Sequence, residues 1–168
     1  MSLFRSKLQL TRIITVLVLI FLWIGVAEAV TLSFKPQVLE REIVDEGLPG
    51  ASLGDLIVGN GTIFNKIGEQ VGTFQYSHIV TDQNADAEVR WVSATYAFGD
   101  DLDSITIQGS VKFLKDNGLT VQGKKIYYAV TGGTGKYAGA RGACQVARVD
   151  DDDYVTTCKF LALNIKFR

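Results

Sequence analysis

The chain has 168 residues, 47% hydrophobic and 21% charged, with 17 basic against 18 acidic side chains. That is the size and apolar content of one domain with its own core, which excludes a disordered chain. A slightly acidic balance, with no basic stripe interleaved with aromatics, excludes the electrostatic footprint of a nucleic-acid binder.

Residues 1–29 read as an export signal. Arg5, Lys7 and Arg12 make a basic leader, Ile13 to Val26 is an apolar stretch of 14 residues, and Ala27-Glu28-Ala29 has the small-x-small spacing of a signal-peptidase site. A helix of that length spans about 21 Å, short of a hydrocarbon core of about 30 Å, which favours cleavage after Ala29 over an anchor. The mature domain is then residues 30–168, secreted or periplasmic. Losing three basic residues and Glu28 gives it a net charge of −3.

The mature chain alternates in short strand-like runs. A short run, Val38 to Val44, comes first. Longer ones follow near Leu53 to Asn65, Val71 to Thr81, Val89 to Gly99, Ser104 to Leu114, Lys125 to Thr131, Ala143 to Val149 and Tyr154 to Phe167. The breaks "KIGEQ", "QNADAE", "GDDLD", "KDNGLTVQG" and "DDDD" carry turn chemistry. Pro36 and Pro49 fall outside or at the margin of these runs, and no window after the leader keeps a helical period. The expectation is an all-β single domain of about eight antiparallel strands, a closed barrel or a sandwich.

"VTGGTGKYAGARG" satisfies G-x-G-x-x-G/A from Gly133 to Ala138, yet the context for a nucleotide is wrong. Gly139 and Gly142 interrupt any helix that should open there, each at a cost of about 1 kcal/mol. Lys136 is followed by Tyr137, where a phosphate loop needs Ser or Thr. No nucleotide is expected, and the glycines read as suppliers of positive φ in a tight rim loop.

This loop resembles the one shared by allene oxide cyclases and dirigent proteins, and other stretches keep the family's order. "VLEREIVDEGLPG" is similar to the cyclase opening, "LGDL" (Leu53 to Leu56) to its first long strand, "KIGEQVGTF" (Lys66 to Phe74) to the following hairpin, and "FGDDLDSITIQG" (Phe98 to Gly109) to the turn into the fourth strand. The resemblance runs from about Val38 to Leu163. It implies an eight-stranded antiparallel β-barrel with an apolar cavity, usually a homotrimer, holding a small lipid-like or polyketide-like molecule. It also implies cyclisation of an unstable epoxide, in which the barrel excludes water, selects the reactive conformer and places a carboxylate where positive charge develops.

By the same resemblance Glu40 matches the glutamate that delocalises charge, and Pro49, nine positions on, matches a proline that helps hold a water. The asparagine sharing that water falls at Glu42, where a carboxylate would repel a developing oxyanion, and the cavity cysteine falls near Phe74. Glu40, Pro49 and Glu42 are the candidate catalytic residues. Read as residues alone, "LERE" is also the wet face of an edge strand.

Phe74, Tyr76, Trp91, Tyr96 and Tyr128 are the cavity-lining candidates. Phe74, Tyr76 and His78 share a face, Trp91 opposes Tyr96 and Phe98 in parity, and Tyr127 opposes Tyr128. Which face lines the cavity is not set by the pattern. His78 is the only histidine, so a His-rich metal site is excluded, no cofactor is expected, and a lone strand histidine reads first as structural. Cys144 and Cys158 lie seven residues either side of Asp151, so a hairpin centred there brings them opposite as a disulfide, unless the register slips by one. Asp150 to Asp153 lacks the spacing of a calcium loop and reads as a solvated hairpin tip. Asn60-Gly61-Thr62 fits the glycosylation pattern but lies inside an expected strand. Three functions remain open: a cyclase or isomerase, a non-catalytic dirigent-type binding protein, and a structural barrel with a filled interior.

Overall fold

The computed structural model describes residues 27–47, 52–99, 103–115, 118–150 and 153–163. Eight strands occur in chain order: β1 (Ala27–Val44), β2 (Leu56–Phe64), β3 (Gln70–Gln83), β4 (Ala87–Phe98), β5 (Asp103–Leu114), β6 (Lys125–Gly133), β7 (Arg141–Asp150) and β8 (Asp153–Leu163). Each pairs antiparallel with its neighbours and β1 pairs with β8, so the sheet closes into a barrel. Closure removes the two free edge strands that an open sheet would present.

The strand at the seam is where the structure departs most from the sequence expectation. β1 begins at Ala27 rather than Val38 and contains Pro36. It pairs with β8 through Ala27 to Phe34 and with β2 from Lys35 to Val44. Pro36 therefore stands just past the point where β1 loses one of its neighbours, a place where a strand tolerates a residue without an N–H. Ala27 to Ala29, before the expected cleavage site, pair with Leu163, Ala162 and Leu161.

Alternation sorts each strand into an inner and an outer face. At one end the interior is packed solid. The rings of Phe34, Tyr96, Phe98, Tyr137 and Phe160 meet edge to face, with centroids 4.7 Å apart for Phe34–Tyr96 and 5.6 Å for Phe98–Tyr137 and Tyr137–Phe160. Such contacts add about 0.5–1.5 kcal/mol each beyond burial.

Tyr137 belongs to the glycine-rich loop, which turns once as a 3₁₀ helix, Gly135–Tyr137, with Gly135 and Gly139 at φ 55° and 71°. Those angles are left-handed, which only glycine adopts without strain. No α-helix opens at this loop, so it lacks the aligned amides of a phosphate cradle. Its lysine is committed elsewhere. Lys136 pairs with Asp103 at 2.6 Å and donates its backbone N–H to the same carboxylate at 2.8 Å, while Ser104 and Thr134 hydroxyls meet at 2.8 Å. The "GDDLDS" and "GGTGKY" motifs thus clamp one another over the packed end.

Cys144 and Cys158 stand directly opposite in the β7–β8 register and form a disulfide buried in the core. The register irregularity of this hairpin falls at Arg148/Asp150, on the turn side of the pair, and so leaves the cysteines aligned. At the start of β2, Asp55 accepts hydrogen bonds from the backbone N–H of Ser52 (2.7 Å), the Ser52 hydroxyl (2.8 Å) and the Glu46 N–H (3.1 Å), which together hold its carboxyl below the usual range.

Candidate functional site

Beyond the packed end the barrel is hollow, with a cavity of about 880 Å³. One wall is a ladder of rings from β3 and β5. Phe74 stacks on Tyr76 (5.9 Å), Tyr76 lies against His78 (4.9 Å), and His78 lies against Phe113 (5.2 Å). Phe74, Tyr76 and His78 alternate along β3 and therefore share the inner face. Room for them comes from β2, where Gly59 stands opposite Tyr76 and Gly61 opposite Phe74. A β-carbon on Gly59 would lie 2.5 Å from the Tyr76 hydroxyl oxygen, so a larger residue there would displace the ring.

Tyr96 and Tyr128 also line the cavity, while Trp91 does not. Trp91 pairs with Ile79 on the outer face and is 44% exposed. This corrects the expectation for Trp91. Along β4 the inner parity belongs to Glu88, Arg90, Val92, Ala94, Tyr96 and Phe98, and an odd-numbered residue cannot share it.

The catalytic candidates need a larger correction. Phe34 faces inward, and unbroken alternation from it would carry Glu40 into the barrel. The β1–β2 register instead shifts between Val38 and Glu40, leaving Leu39 as the extra residue of a β-bulge. One inserted residue inverts everything after it. Glu40 and Glu42 consequently lie on the outer face, exposed, and the Glu40 carboxylate accepts a hydrogen bond from the Asn60 amide at 2.9 Å. Arg41 is the residue turned to the cavity. Pro49 lies outside the described residues.

The sequence reading passed over the charged groups that the closed barrel gathers here. Arg90 is buried, donates to Glu88 through Nε and through a terminal nitrogen (both 2.8 Å), and lies 4.5 Å above the Phe113 ring. "EVR" does place Glu88 and Arg90 on one face. The signal was the parity Arg90 shares with Tyr96, which becomes informative once the inner face is known.

His78, read first as structural, lines the cavity. Burial, then the nearby charges of Arg90 and Arg41, push its pKa down to about 3, so the imidazole is neutral at physiological pH. Burial raises the Tyr96 phenol to about 12, with the neighbouring Thr156 side chain opposing. Tyr128 is raised further, by burial first and then by Tyr96 and Tyr154. Tyr76 is raised by burial, with Arg41 and Arg90 opposing. The inner surface therefore offers neutral aromatic faces, phenol donors and one neutral imidazole, with the guanidinium groups of Arg41 and Arg90 beside them.

Residues 36–160 match the family model of the allene oxide cyclase barrel-like domain. Among curated proteins none is similar in sequence at a significant level. Several solved structures share the fold. Pyocyanin demethylase superposes with a TM-score of 0.62 at 23% identity, over 78% of this chain and 99% of its own. The pterocarpan synthase dirigent protein GePTS1 gives 0.59 at 18%, over 83% and 90%. The Diels Alderase AbmU from Streptomyces koyangensis gives 0.60 at 14%, over 83% and 70%.

Proposed function

The chain belongs to the family of the allene oxide cyclase barrel-like domain, and from that premise we propose that it binds a small apolar, conjugated molecule inside the barrel and fixes its conformation. The observation that carries this reading is the aromatic-walled interior of about 880 Å³, within the usual size of a site for a drug-sized ligand. A hollow of this size also speaks against a structural barrel with a filled interior.

The chemistry such a site performs is confinement. A flexible polyene or ring precursor enters with many conformers and is held in few, out of water, so that an intramolecular closure or a steered coupling meets a smaller entropic barrier. With Glu40 on the outer face and Glu88 engaged by Arg90, no free carboxylate lies along the aromatic wall among the described residues to stabilise a developing cation. Conformational control in the dirigent manner is therefore the better reading, and isomerisation or cyclisation follows where the bound conformer is itself reactive. The similar structures carry names for a demethylase, a pterocarpan synthase and a Diels Alderase, so the fold does not select one reaction.

The test is native mass spectrometry of protein purified from its own source, followed by solvent extraction. A defined small molecule released on denaturation supports the reading. Protein that arrives empty and takes up none of a panel of polyene and aromatic compounds refutes it.

Export and assembly are part of the proposal. Cleavage after Ala29 leaves Val30, opposite Phe160, as the first strand residue, and an intact mass starting at Val30 is the expected result. A homotrimer is expected from the family resemblance. The outward apolar row Val44, Leu56, Ile79 and Trp91, aligned across three strand pairings, is the surface such contacts would use. Sedimentation of wild type and Trp91→Glu tests it, a monomer in both cases being the contrary result.

A further inference from the structure

We propose that the part of the cavity beside Gly118 is an anion-binding site, at which Arg41 and Arg90 hold a carboxylate or similar oxyanion borne by the apolar ligand. The inference rests on the reading of the interior as a ligand cavity and adds the class of molecule it takes.

The geometry converges on Gly118. A β-carbon built there would lie 3.7 Å from a terminal nitrogen of Arg41 and 4.0 Å from one of Arg90, so the two guanidinium groups face one hollow that glycine leaves unfilled. They come from different elements. Arg41 is turned inward by the Leu39 bulge, and Arg90 stands on the inner parity of β4. Both lie toward the end of the aromatic ladder at which Arg90 caps Phe113.

Charge balance points the same way. The cavity is lined by Lys35, Arg41, Lys66 and Arg90 against Asp153, although the chain as a whole is slightly acidic. Lys35 is taken by Asp153 at 3.1 Å and Arg90 is shared with Glu88. Among the described residues no carboxylate pairs with Arg41. An excess of guanidinium beside a low-dielectric interior favours an anion, and guanidinium matches a carboxylate with two parallel N–H donors.

A second observation is independent of charge. Thr120 lines the same cavity, is 2% exposed, and its hydroxyl has no hydrogen-bond partner. The buried Nδ1 of His78 is likewise unpartnered. Buried polar groups are normally satisfied, and two orphans beside one hollow mark a place where a polar ligand atom belongs.

The probes are 2-naphthoate and 2-naphthalenemethanol, which share a flat apolar body and differ in charge. They are titrated calorimetrically into the full mature protein, with the imidazole resonances of His78 followed by NMR. Wild type is expected to bind naphthoate about tenfold more tightly than the alcohol, the ratio one charge-assisted hydrogen bond supplies. Naphthoate should also shift the His78 resonances. Arg41→Gln should abolish the preference, bringing the naphthoate affinity down to that of the alcohol, and Thr120→Val should narrow it without a change of side-chain shape. Equal binding of the two probes to wild type overturns the anion site and leaves the cavity function standing, as does a preference that persists in both variants. Failure of both probes to bind overturns the cavity reading and this inference together.

Discussion

His78 permits a clean test of the physical state of the interior, because it is the only histidine in the chain. Its pKa in the folded protein lies near 3 against an ordinary 6.5, through burial first and then the charges of Arg90 and Arg41. Below pH 6.5 the unfolded chain takes up a proton that the folded chain refuses. Stability attributable to this group is therefore intact above pH 6.5 and lost as pH falls toward 3. At pH 4.5, two units below the unfolded value, the loss is about 2.7 kcal/mol. For a domain of this size that corresponds to about 5–11 °C in melting temperature. Carboxylates elsewhere also protonate in this range, so the informative quantity is a difference. Urea unfolding of wild type and His78→Gln at pH 8 and pH 4.5 should show the wild type losing about 2.7 kcal/mol relative to the variant. In parallel, the His78 ring protons should not titrate between pH 8 and pH 4.5. A constant difference between the two proteins, or a ring titration near 6.5, would show that the imidazole is solvated and refute the account of the interior.

Three further outcomes follow from the same geometry. Replacing Cys144 and Cys158 with alanine opens a loop closed over 14 residues and should cost about 3 kcal/mol in chemical denaturation, with the fold retained by far-ultraviolet circular dichroism. Glu88→Gln strands the buried Arg90 charge and should destabilise by about 3–5 kcal/mol, measured by urea unfolding, whereas Glu88→Gln combined with Arg90→Met should recover much of that loss. Glu40→Gln, on the outer face with one exposed hydrogen bond to Asn60, should change stability by less than about 0.5 kcal/mol and leave naphthoate affinity unchanged; a tenfold change in affinity would mean that Glu40 does reach the ligand.

Much of the barrel is legible in the chain because local rules set it. Seven of the expected strands, Leu53 to Asn65 through Tyr154 to Phe167, overlap β2 to β8, since turn residues and period-two alternation are properties of neighbouring residues. The Cys144–Cys158 pairing is also local, a matter of counting outward from one hairpin turn. The glycine loop is legible in its conformation, because Gly135 and Gly139 need no distant partner to adopt positive φ. What the loop touches is another matter: Lys136 meets Asp103, 33 residues away, and Tyr137 plugs the barrel end only because closure brings Phe98 and Phe160 there.

The site was less legible for a physical reason. Alternation assigns residues to two faces without saying which one closes on the core, so Trp91 and Tyr96 were both candidates until the barrel placed one outside and one within. The extent of β1 before Val38 was hidden because Pro36 argues against a strand locally, and only the change of neighbour from β8 to β2 makes it acceptable. The bulge at Leu39 is decisive: one residue without a partner exchanges Glu40 for Arg41 at the cavity and turns a carboxylate site into a guanidinium site. The sequence by itself determined β2 to β8 and the cysteine pair, whose causes lie within a few residues. The tertiary structure alone decided which face is inside and which charges meet there, because those depend on the pairing of β1 with β2 and, across the closed seam, with β8 at the far end of the chain.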